Sequence, residues 1–183
     1  MLGHVLLMMG GKAPPGNQIW TTAGTFTFTV PDGYTSVTVD ECLGGGGGGG
    51  GNYLANNAGV GGSAGSRVSN TVVSGLTPGQ SITVIVGARG TGASGGNGSS
   101  GGNSSFHGTV VASGGAGGAY NAYPRPLGGY GGNSIVGTGG APTAYHGGDG
   151  TGNASGGAGA SSYYPEYYSG GHGTAGYVKV SWA

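Results

Sequence analysis

The sequence predicts an all-β protein, a small β-sandwich combined with a bundle of polyglycine-II helices. Three observations carry that expectation. Short apolar runs alternate with period two, glycine runs repeat with period three, and no segment has a helical period.

Residues 1–18 form an apolar head of Leu2, Val5, Leu6, Leu7, Met8 and Met9, closed by Gly10-Gly11 and Pro14-Pro15-Gly16. A free apolar segment is a liability in water. The head therefore reads as a docking peptide for a partner protein. A strand or short helix folded back on the chain's own core is the alternative.

Residues 19–183 read as a single domain that opens with a β-hairpin over 19–43. Thr25-Phe26-Thr27-Phe28-Thr29-Val30 puts Phe26, Phe28 and Val30 on one face and threonines on the other. That is the pattern of a half-buried strand. Pro31-Asp32-Gly33 supplies turn chemistry, and Ser36-Val37-Thr38-Val39 resumes the alternation. Further strands are expected at 67–73, at 81–86 with Ile82, Val84 and Val86 inward, at 109–112, and at 177–182. Thr77-Pro78-Gly79-Gln80 is a turn between two of them. Five or six short strands with Gly/Pro turns point to a sandwich.

Glycine makes up 51 of the 183 residues, against a usual share of about 7%. Residues 95–103, 114–119 and 128–133 all repeat every three residues. Three residues per turn, at a rise of about 3.1 Å, is the geometry of a polyproline-II-type helix, which has no internal hydrogen bonds. With glycine often at two positions of three, such a helix can be approached from two sides. A bundle of parallel and antiparallel helices, hydrogen-bonded to one another, is the expectation. Each bond nets about 0.5–1.5 kcal/mol, against an ordering cost of about 1–2 kcal/mol per residue. The lattice therefore needs the sandwich as a clamp. A disordered linker is the rival reading, but a linker seldom keeps register or ends in a strand as apolar as residues 176–182.

The 11 tyrosines are not spread evenly. Seven lie in three non-glycine inserts: Tyr120 and Tyr123 at 119–127, Tyr145 at 141–146, and Tyr163, Tyr164, Tyr167 and Tyr168 at 161–168. Residues 147–160 split into a run (147–152), a turn (153–155) and a second run (156–160). Five or six residues per run carry the chain roughly 15–19 Å out and the same distance back. All three inserts are thus expected at one tip. Tyrosine-rich loops on a rigid scaffold make a recognition surface, to which Arg125 and His146 also belong. Pro124, Pro126, Pro142 and Pro165 stiffen the loops and reduce the ordering cost of binding. The alternative is that the tyrosines cover the ends of the bundle, and for Tyr130, inside a run, that packing role is expected. Residues 52–57 suggest a further loop.

Net charge is zero, and the five cations Lys12, Arg67, Arg89, Arg125 and Lys179 are scattered, which argues against nucleic acid. The longest apolar stretch, residues 2–9, is far short of the roughly 20 residues that span a bilayer. It also lacks the basic flank of a signal peptide. Cys42 has no partner for a disulfide. The acids Asp32, Asp40, Glu41, Asp149 and Glu166 are not paired for acid–base work, and Gly11-Lys12-Ala13 lacks the hydroxyl of a phosphate loop. His146, Asp149 and His172 lack metal-ligand spacing. A binding protein without a cofactor or metal, not an enzyme, is expected.

Residues 25–33 and 36–39, the 44–51 glycine run, residues 76–87 and 109–115, and the closing 176–182 strand come in an order that resembles the glycine-rich domain of phage tail-fibre proteins. The resemblance covers roughly residues 20–183. It implies a polyglycine-II scaffold for variable loops. It also implies a tip adhesin, similar in kind to the distal adhesins of T-even-type phages, that is carried on the virion and binds a host outer-membrane protein or surface glycan. The same order is similar to the glycine-rich region of anaplastic-lymphoma-type receptor kinases, which implies a TNF-like sandwich. The head at 1–18 departs from the T-even pattern; a fibre or other virion protein is its expected partner. A virion structural or decoration protein without a receptor role is the second reading. A secreted bacterial glycine-rich matrix or ice-binding protein is the third.

Overall fold

The computed structural model describes residues 11–51, 58–120, 128, 130–143, 146–161 and 168–183. Among them are ten strands and no helix. The strands are β1 (Gly16–Trp20), β2 (Gly24–Thr29), β3 (Ser36–Leu43), β4 (Arg67–Ser74), β5 (Ser81–Val86), β6 (Ser104–Phe106), β7 (Val110–Ala112), β8 (Gly137–Thr138), β9 (Thr151–Gly152) and β10 (Tyr177–Trp182).

Two four-stranded antiparallel sheets, β1-β10-β3-β4 and β2-β5-β6-β7, share one core, and β8 and β9 form a separate ribbon. Period-two patterning places the core. In β5 the residues alternate strictly, with Ile82, Val84 and Val86 buried and Ser81, Thr83 and Ile85 outward. In β2, Phe28 is buried while Thr25, Thr27 and Thr29 face out. Val37, Val39, Val178 and Val180 from the first sheet meet Phe28, Ile82, Val84 and Phe106 from the second. The Thr77–Gln80 turn closes as expected: Gln80 N–H donates to the Thr77 carbonyl at 2.9 Å, and Gly79 supplies the positive φ of 79°.

The expected hairpin over 19–43 is not formed. β2 pairs with β5 and β3 pairs with β4 and β10, so the two strands belong to opposite sheets. Residues 30–35 cross between the sheets, and Tyr34 is buried as they do so. Alternation fixes which face of a strand is buried, not which strand lies beside it.

The described part of the head segment is built into the domain. β1 begins at Gly16 and pairs with β10 along its length. Trp182 Nε1 donates to the Pro14 carbonyl at 3.0 Å, and Ala13 N–H donates to the Asp32 carbonyl at 2.8 Å. The docking residues Leu2, Val5, Leu6, Leu7, Met8 and Met9 lie outside the described residues.

β3 runs directly into the glycine run 44–51, and that run is the axis of the second half of the molecule. Each of its eight N–H groups donates to another segment, at 2.8–3.1 Å, and the recipients rotate with period three. Gly44, Gly47 and Gly50 donate to Ser66, Ser63 and Val60; Gly45, Gly48 and Gly51 to Gly102, Ser99 and Gly96; Gly46 and Gly49 to Thr174 and Gly171. All three recipient segments run antiparallel to the axis. Its carbonyls accept, also in threes, from three parallel segments: Gly46 and Gly49 from Gly90 and Ala93, Gly45 and Gly48 from Gly115 and Gly118, Gly47 and Gly50 from Gly157 and Ala160. The six neighbours are bonded to one another around the ring, for example Ser99 to Thr91, Gly98 to Gly118 and Gly171 to Ala158. A second layer of short runs at 130–132, 139–141 and 147–150 covers one side.

This arrangement explains an unbroken run of eight glycines. A Cβ on Gly48 would fall on the Thr91 carbonyl and within 2.5 Å of the Gly92 nitrogen, and every other glycine of the axis faces backbone in the same way. Ring segments have an outward side, where serine, asparagine and alanine are accommodated. The sandwich is hydrogen-bonded to the base of this lattice. Asn153 Nδ2 donates to the carbonyls of Thr21 and Gly176, both at 2.9 Å, tying a turn of the glycine region to both ends of the β-structure.

Cys42 sits in the core at the base of the axis, and burial pushes its thiol up from 9.0 to about 11, with a weaker opposing effect from a backbone hydrogen bond to Ala112. The folded state favours the neutral thiol, so this stabilisation is complete below about pH 9 and lost as pH rises towards 11. The urea midpoint is expected to fall over that window by an amount worth on the order of 2 kcal/mol. In Cys42→Ala that part of the slope should vanish.

A candidate binding tip at one end of the bundle

The direction of each run decides where its connections lie. Segments 87–93, 113–119 and 154–160 run parallel to the axis, away from the sandwich, and segments 58–66, 96–102 and 169–176 return. The chain therefore leaves and re-enters at the far end in four places: after Gly51 and before Ala58, after Tyr120 and before Gly128, after Thr143 and before His146, and after Ser161 and before Tyr168. The turn at Ser94 and Gly95 lies there as well, bridged to Ser169.

Short polar contacts hold these ends together. Tyr120 N–H donates to Asn97 Oδ1 at 2.7 Å, and Gly128 N–H donates to Ser161 Oγ at 3.2 Å. Ser161 Oγ donates in turn to the Thr143 carbonyl. Gly147 N–H donates to the Ser169 carbonyl at 2.9 Å. The His146 ring stands edge-on to Tyr168 with centroids 5.4 Å apart.

Of the expected contact residues, Tyr120, His146 and Tyr168 are described. Tyr120 is half-buried and His146 exposed, whereas Tyr168 is 7% exposed and forms part of the floor beneath the openings. Tyr123, Arg125, Tyr145, Tyr163, Tyr164 and Tyr167 lie outside the described residues. Tyr130, expected to pack, is instead 71% exposed on the flank of the bundle. Two features of the tip escaped the sequence: the turn at 94–97, which looks like any other Gly/Ser/Asn stretch, and the position of the 52–57 opening, which follows only once 44–51 is known to be the axis.

The floor residues Ser94, Asn97, Tyr120, Thr143, His146, Ser161, Tyr168 and Ser169 include no carboxylate, lysine or arginine. Asp40 and Glu41 are engaged on the sandwich, with Lys179 at 3.4 Å and Arg67 at 2.6 Å. Asp149 Oδ1 accepts the His172 N–H at 2.7 Å. Hydroxyls, amides and aromatic rings suit hydrogen bonding and stacking against a ligand.

A family model described as a glycine-rich domain matches residues 21–183, from the approach to β2 to the end of the chain. The chain belongs to this glycine-rich domain family. No curated protein matches it. The match takes in the axis, the six ring segments, the second layer and nine of the ten strands; β1 lies just outside it. In this glycine-rich domain, strands and glycine lattice are one covalent and hydrogen-bonded unit, with the four chain openings at the end remote from the strands.

Proposed function

We propose that this glycine-rich domain is the receptor-binding tip of a bacteriophage tail fibre, a non-catalytic adhesin that contacts a host outer-membrane protein or surface glycan through its tyrosine-rich inserts. In this reading the glycine runs are polyglycine-II helices. The period of three in their hydrogen bonds supports that, as does the absence of positive φ along the axis.

The observation that carries the proposal is polarity. Lys12 lies over the Tyr34 ring, 4.3 Å from its centroid, and Ala13 is bonded to Asp32, so the described chain begins beside the 31–35 loop. That loop precedes β3 at the pole opposite the four openings. Eight residues of β3 and eight of the axis separate the poles, about 50 Å at the rises of a strand and of a threefold helix. A head segment that docks on a fibre at one pole leaves the described flanks of the tyrosine inserts at the pole away from the particle. The hydroxyls, amides and aromatic rings of the described floor, with the tyrosines of the inserts, match the chemistry of rigid paratopes.

Antibody against the purified chain is expected to label the distal ends of tail fibres in electron micrographs. Free protein is expected to compete with particles for adsorption to host cells. Labelling of the capsid or tail shaft, with adsorption unaffected, would assign the chain to virion structure instead.

A further inference from the structure

The outer surface of the glycine lattice is not uniform. Segment 113–120 lies on the rim, and five of its N–H groups are satisfied by side chains of its two antiparallel neighbours. Ser113 and Ala116 N–H donate to Ser66 Oγ and Ser63 Oγ at 2.6 and 2.7 Å. Gly114, Gly117 and Tyr120 N–H donate to Asn103 Oδ1, Ser100 Oγ and Asn97 Oδ1 at 3.0, 3.4 and 2.7 Å. Both ladders step by three residues, in register with the lattice. Nearby, Thr91 N–H donates to Ser99 Oγ at 2.8 Å and Gly92 N–H to His172 Nδ1 at 3.0 Å.

The opposite side of the ring is built differently. There Gly156 and Ala158 find backbone acceptors in further runs for their outward N–H groups, while Ser155 N–H, at the base, donates to Thr174 Oγ1 at 2.8 Å. Gly156 donates to Gly132 at 2.9 Å and Ala158 to Gly148 at 3.0 Å. Gly132 and Gly140 donate back to Gly62 and Gly156, at 3.0 and 2.9 Å. Within one molecule, the outward amides of Gly156 and Ala158 carry another run, and the amides of segment 113–120 met by serine or asparagine lie on an exposed face.

We propose that the Asn97/Ser100/Asn103 and Ser63/Ser66 ladders terminate the lattice, and that the face they cover is otherwise a docking surface for a glycine run of a second copy of this chain. A row of unpaired N–H groups repeating every three residues, about 9 Å apart, is a template for a threefold run just as the edge of a sheet is for a strand. The second layer identifies the occupant. Runs such as 130–132 and 139–141 are what this lattice accepts where the side-chain acceptors are missing, and another copy supplies the same runs. Asn97, Ser100, Asn103, Ser63 and Ser66 are all exposed, so they fill the edge without occupying the core.

The test is the triple variant Asn97→Ala/Ser100→Ala/Asn103→Ala of the full chain, compared with the wild type by sedimentation over a hundredfold concentration range. Circular dichroism would confirm that it folds. The variant is expected to at least double in mass with rising concentration, while wild type keeps one mass. Amide exchange at Gly114 and Gly117 should be fast in the dilute variant and slowed in the concentrated one. Asn97→Asp/Ser100→Thr/Asn103→Asp keeps every acceptor oxygen and is expected to behave as wild type. Equal masses for the folded alanine variant and wild type at all concentrations would overturn the proposal. So would association of the acceptor-retaining variant, which would trace the effect to a loosened fold. Should the triple variant fail to fold, Ser63→Ala/Ser66→Ala, which uncovers only two amides, decides the matter by the same criterion.

Discussion

Gly48→Ala is expected to destabilise the protein by about 4 kcal/mol or more, a loss reserved for changes that break a specific structural feature. The added methyl has no space. Its ideal position overlaps the Thr91 carbonyl, and the Gly92 nitrogen is 2.5 Å away. Neither atom belongs to a flexible side chain, so segment 87–93 must move off the axis. Its bonds from Gly90 to Gly46 and from Ala93 to Gly49 would go with it. Buried amides left without partners cost about 1–3 kcal/mol each. Gly96→Ala is the matched control. Nothing lies within 4 Å of its Cβ position and its φ is not positive, so alanine there should stabilise by about 0.4–1 kcal/mol through the unfolded state. Urea unfolding of the two variants beside wild type checks both signs. Comparable losses for both would mean that glycine is required for backbone freedom, not for close approach.

The second large effect is expected in the sandwich. Phe28 is 1% exposed and joins the two sheets. Its ring lies 6.2 Å from that of Trp20 and 5.7 Å from that of Trp182 on the first sheet, and 5.6 Å from that of Phe106 on its own. Truncation to alanine removes these ring contacts and opens a cavity that rigid aromatic neighbours cannot fill, a cost of about 3–5 kcal/mol. The urea midpoint of Phe28→Ala should fall accordingly with an unchanged slope. A loss below about 1 kcal/mol would mean that the glycine lattice, and not the sandwich, holds the fold together.

Much of this architecture is legible in the residues. The strand at 81–86 and the closing strand at 177–182 are found where alternation puts them, because a half-buried strand must alternate. What alternation cannot supply is neighbourhood, and so β2 and β3 look like a hairpin although Tyr34 carries the chain across the core. β6 has three residues and β8 and β9 two each, too short for any period. β1 follows two prolines and an apolar head, and its pairing with β10 reaches from one end of the chain to the other. Period three is equally visible in the glycine runs, and run lengths foretell that the described flanks at Tyr120 and Gly128, Thr143 and His146, and Ser161 and Tyr168 meet at one end. The distinction between axis and rim is subtler. It lies in the eight uninterrupted glycines at 44–51 against the Ser, Asn and Ala of the ring, and its meaning depends on counting neighbours in three dimensions.

The most direct test of the account is binding of the purified protein to host cells, with wild type set against Tyr123→Ser/Tyr145→Ser/Tyr164→Ser/Tyr167→Ser. Circular dichroism and unfolding would establish that the scaffold is unchanged. Wild type is expected to bind and the folded variant to lose at least ~100-fold in affinity, about 2.7 kcal/mol, as removal of central aromatic anchors does. Equal binding by the two proteins, or no binding by either while the chain still assembles onto particles, would contradict recognition at the tip.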